Sequence, residues 1–67
     1  MSEADKLFEE IGYKTEFEDK ISFTFANREK GRYITFIKDS KTLMLPCELT
    51  MQELKAINKK CEELGWI

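Results

Sequence analysis

The sequence predicts a small α+β domain in which two helices pack on one face of an antiparallel sheet. Apolar residues recur at helical spacing near both ends of the chain, and they alternate with polar residues over positions 13–46. Sixty-seven residues are enough for one compact unit. We therefore expect a single domain over residues 1–67, with the order α-β-β-β-α and a short additional strand before the second helix.

An apolar stripe marks the first helix, which we predict over residues 2–11. Its members share one helix face: Ala4, Leu7, Phe8 and Ile11. Ser2 is the expected N-cap, and Gly12 is expected to end the helix in the left-handed conformation. Tyr13 would then fold back onto Phe8.

The second helix carries a more complete set of signals. Thr50 and Glu53 form a capping box, in which each side chain accepts a hydrogen bond from a free backbone N–H. Gly65 ends the helix, and Trp66 is expected to cover Cys61. Leu49 and Leu54 are placed as a hydrophobic staple at the start. The predicted buried stripe consists of Leu54, Ile57, Cys61 and Leu64, with Ala56 allowing close approach.

Between the helices, period-two alternation predicts strands in a meander. Tyr13, Thr15 and Phe17 are expected to share one side of the first strand. The third strand is predicted from Tyr33 to Ile37, and a short strand over residues 43–45 stops at Pro46. The sheet face expected to carry the helices comprises Ile21, Phe23, Phe25, Ile34, Phe36, Leu43 and Leu45.

The composition excludes several classes of chemistry. Eleven basic and thirteen acidic residues give a net charge of −2, and the chain has no histidine, so histidine bases, histidine metal ligands and Ser-His-Asp triads are excluded. Two cysteines fall short of a zinc site, and we expect reduced thiols, with Cys61 in the core and Cys47 in a loop. We expect no catalytic residues, no cofactor and no metal.

The chain lacks an apolar run long enough to span a membrane, and its acidic, polar start does not resemble a signal peptide. These features predict a cytoplasmic protein without membrane association.

One predicted surface suggests binding. If Ile34 and Phe36 face the helices, Tyr33 and Ile37 face away from them, on the same side as Met44. This side is low in charge, which favours an interaction surface. Three cations in the preceding loop extend the candidate interface: Arg28, Lys30 and Arg32. We predict a protein partner, and a homodimer through the open sheet face is a second expectation.

The element order also occurs in double-stranded-RNA-binding domains. Such domains place lysines at the start of the second helix, where they meet phosphates. Here that start reads Thr50-Met51-Gln52-Glu53, and Glu53 would repel a phosphate. A nucleic-acid-contacting module is therefore the second hypothesis for the function, and it rests on element order only. A self-associating structural protein is the third hypothesis.

The segments Leu7–Tyr13 and Thr50–Trp66 resemble a family of very short proteins encoded by phages and prophages of Gram-positive bacteria. The family has no assigned activity, so the resemblance carries over no catalytic residue. It implies an accessory protein acting in the bacterial host cell, and, by analogy with other small phage proteins, an inhibitor of a host defence protein. The matching positions are Gly12, Thr50, Leu54, Ile57, Leu64 and Trp66.

Overall fold

The computed structural model describes residues 2–67 and shows an α+β fold with both helices on one side of the sheet. The four strands pair antiparallel in chain order, so the sheet is a meander. The predicted fold class is confirmed, and the short fourth strand pairs with the third. The elements are α1 (Glu3–Glu10), β1 (Lys14–Glu18), β2 (Ser22–Asn27), β3 (Arg32–Ile37), β4 (Thr42–Met44) and α2 (Met51–Glu63).

Both ends of α1 form as the sequence predicts. The Ser2 hydroxyl accepts a hydrogen bond from the Asp5 amide at 3.1 Å. At the other end Gly12 adopts a φ of +94°, and the Tyr13 amide donates to the Phe8 carbonyl at 2.9 Å. The rings of Phe8 and Tyr13 then meet edge to face, with centroids 5.7 Å apart.

The capping box of α2 is present in full. The Glu53 amide donates to the Thr50 hydroxyl at 3.1 Å, and the Thr50 amide donates to the Glu53 carboxylate at 2.8 Å. After Gly65, the Trp66 amide donates to the Cys61 carbonyl at 2.9 Å, and the Trp66 ring lies against Phe36. This turn brings the end of the chain back onto the core.

Stacked aromatic rings form the centre of the core. Phe8 of α1 stacks on Phe25 of β2 at 4.1 Å between centroids, and Phe23 stacks on Phe36 of β3 at 4.8 Å. Ala56, Ile57 and Cys61 of α2 belong to the same buried cluster, so both helices pack against one face of the sheet. The buried cluster comprises Phe8, Tyr13, Phe23, Phe25, Ile34, Phe36, Ala56, Ile57 and Cys61.

Three residues predicted for the core are exposed. Leu54 is 43% exposed, because Glu53 occupies the buried side of α2. Residues four apart on a helix lie nearly in line, so Glu53 aligns with buried Ile57. Leu54, one residue further along, points about 100° away from Glu53 around the helix axis. Ile21 lies in the turn before β2 and Leu45 follows the last residue of β4, so neither joins the packed face.

Candidate functional site

The sheet side opposite the helices, here called the open face, is defined by the strand pairing. Residues directly paired across antiparallel strands share a face, and residues two apart along one strand do as well. Because Phe36 is buried under the helices, its neighbours Thr35 and Ile37 face the other way. The open-face positions are Lys14, Phe17, Ser22, Thr24, Ala26, Tyr33, Thr35, Ile37, Thr42 and Met44.

Large apolar side chains lie exposed on this face. Tyr33 is 54% exposed and Met44 is 62% exposed, whereas Ile37 is half-buried beside them. Met44 pairs with Thr35, which stands between Tyr33 and Ile37 on β3. The structure thus brings together the three apolar residues that the sequence placed in the candidate interface.

Phe17 joins this group, although the alternation in β1 predicted that it would share a side with Thr15. The pairing slips between Thr15 and Phe17, so Thr15 pairs with Phe25 but Phe17 pairs with Thr24. The extra residue, Glu16, forms a β-bulge that turns the following side chain to the other face. Phe17 is consequently 54% exposed on the open face. No feature of the β1 sequence signals this bulge.

Two polar side chains at the centre of the open face are paired with each other. The hydroxyl oxygens of Thr24 and Thr35 lie 2.9 Å apart and share a hydrogen bond across β2 and β3. Lys14 is the one charged residue at an open-face position, in a chain with 24 charged residues. Covering this face would therefore desolvate little charge and would leave the threonine pair bonded.

The three loop cations lie in different surroundings. Arg28 pairs with the Glu16 carboxylate through both Nε and Nη2, so its charge is matched at the bulge. Lys30 is exposed in the loop, where its amide donates to Asn27 Oδ1 at 3.2 Å. Arg32 pairs with Asn27 on β2 and lies on the helix side of the sheet. Of the three, Arg32 is therefore separated from the apolar group by the sheet itself.

Arg32 instead belongs to a buried polar network with Glu53. The guanidinium donates from Nε and Nη2 to the two carboxylate oxygens of Glu53, each at 2.9 Å. The hydroxyl of Tyr13 donates to the same carboxylate, whose side chain is only 5% exposed. These bonds join β3, the start of α2 and Tyr13, which immediately precedes β1.

The network sets the ionisation of its members. Burial opposes the charged form of Glu53, but the hydrogen bonds from Arg32, Tyr13 and the Thr50 amide outweigh it and lower the Glu53 pKa to about 2. Burial, together with the bond to Glu53, raises the pKa of Tyr13 above its ordinary value. The sequence predicted Glu53 as part of the helix cap. Its hydrogen bonds with Arg32 and Tyr13 depend on residues distant in the chain.

A groove of about 790 Å³ opens beside this network, between the end of α1, the β2–β3 loop and the start of α2. Its charged lining has both signs, including the cations Lys30 and Lys55 and the anions Glu10, Glu29 and Glu48. Across residues 2–67, every buried polar side-chain atom has a hydrogen-bond partner. The groove therefore presents no unpaired buried group that would select a ligand.

Within residues 2–67, no group of three acidic, cysteine or histidine side chains is arranged to hold a metal ion. In the same part of the chain, neither helix has the length and apolar character needed to cross a membrane. Comparison with protein-family models, curated proteins and solved structures finds no match to this chain.

Proposed function

We propose that this protein acts without catalysis, by binding another protein through its open face. The observation that carries the proposal is the grouping of Phe17, Tyr33 and Met44, each more than half exposed, on one side of the sheet. Exposed apolar groups of this kind on small domains favour interaction surfaces. Burying the exposed half of each side chain would contribute on the order of 1 kcal/mol.

The cost of covering the face supports the same proposal. Charged groups are costly to remove from water, and among the paired open-face positions only Lys14 carries a charge. The shared hydrogen bond of Thr24 and Thr35 survives burial, so neither hydroxyl would lose water without compensation. The face therefore combines a hydrophobic gain with a small desolvation penalty.

The resemblance to short phage and prophage proteins supplies a biological setting for this proposal. In that setting the protein is an accessory factor in the cytoplasm of a bacterial host, and its partner is a host or phage protein. A host defence protein that is inhibited on binding is the partner we propose.

Capture from a nuclease-treated lysate of a Gram-positive bacterium tests the proposal. The open-face variant carries Phe17→Ser, Tyr33→Ser and Met44→Ser, three exposed positions at which substitution should leave the far-ultraviolet circular dichroism unchanged. The matched control carries Ile21→Ser and Met51→Ser, which are 59% and 73% exposed but lie outside the open face.

We expect a defined protein to be retained by the parent and by the control, and lost from the open-face variant. Equal capture by all three proteins would contradict the proposal. Retention of nucleic acid in an untreated lysate, weakening steeply with salt, would favour a nucleic-acid-contacting module instead. If the molecular mass in solution doubles as the protein concentration rises for the parent, but not for the open-face variant, the result would favour self-association.

A further inference from the structure

We draw no further inference here: the strongest candidate, the groove between the end of α1, the β2–β3 loop and the start of α2, is lined by side chains of both charge signs and, within residues 2–67, by no unpaired buried polar group, so nothing in the structure shows what would occupy it.

Discussion

Replacing Glu53 by glutamine removes one buried charge and one of the two oxygens to which Arg32 donates. Glutamine is nearly isosteric with glutamate, and at the third position of a helix it can still complete a capping box with Thr50. The Thr50 amide and the Tyr13 hydroxyl bond to different oxygens of Glu53. A glutamine whose amide oxygen keeps the Thr50 bond places its NH2 group beside Tyr13, whose hydroxyl can accept from it. Arg32 would lose the charge that faces its guanidinium. The substitution therefore isolates the ionic part of the network from the cap.

The expected loss follows from the pKa of Glu53. The ordinary value is 4.5 and the folded value is about 2, and each unit corresponds to about 1.4 kcal/mol. The charged form is thus favoured in the folded protein by about 3 kcal/mol at neutral pH. A domain of 67 residues has a total stability of roughly 3–10 kcal/mol, so Glu53→Gln should remove a large share of it.

Urea unfolding followed by circular dichroism at a series of pH values measures this contribution. Because the folded pKa lies below the unfolded one, the stabilisation is complete above pH 4.5 and is lost as the pH falls toward 2. The difference in unfolding free energy between parent and variant should be constant at neutral pH and should shrink through that window. Other carboxylates with lowered pKa values, such as Glu16 and Asp19, contribute equally to both proteins.

The exposed residue Glu48 provides the matched control. Glu48→Gln makes the same chemical change on the surface, and it should alter stability by no more than about 0.5 kcal/mol. If Glu53→Gln is equally mild, or if its difference from the parent does not change between pH 4.5 and 2, the assignment of a stabilising charge to Glu53 is refuted.

Two further predictions concern Gly12 and the cysteines. Gly12→Ala should lower the free energy of unfolding by about 2 kcal/mol in thermal unfolding, because φ is +94° and the new Cβ would lie 2.9 Å from Asn27 Nδ2. The control Gly65→Ala has a φ of +76° but open space around the new Cβ, so it should cost about 1 kcal/mol. An equal loss at both glycines would refute the close contact. A thiol reagent should modify exposed Cys47 in the native protein but should modify Cys61 only in denaturant, because Cys61 is buried and burial raises the pKa of its thiol. Rapid modification of two thiols per molecule without denaturant would place Cys61 outside the core.

Helix ends were predictable because their signals are local. The hydrogen bonds that cap α1 and α2 join residues no more than five apart, for example Tyr13 to Phe8 and Trp66 to Cys61. The strand order and the burial of Phe23 and Phe25 also followed from alternation, since only one sheet face could receive the helices. The candidate interface at Tyr33, Ile37 and Met44 came from the same alternation and stays a prediction.

By itself, the sequence determined which segments become helices and strands, and where both helices begin and end, because these choices depend on neighbouring residues. The tertiary structure decided the rest of the candidate site. The bulge at Glu16 turned Phe17 onto the open face, and the packing of α2 on the sheet brought the carboxylate of Glu53 to Arg32 and Tyr13. Arg32 lies 21 residues from Glu53 and Tyr13 lies 40 residues from it, so no local pattern could show that these groups meet.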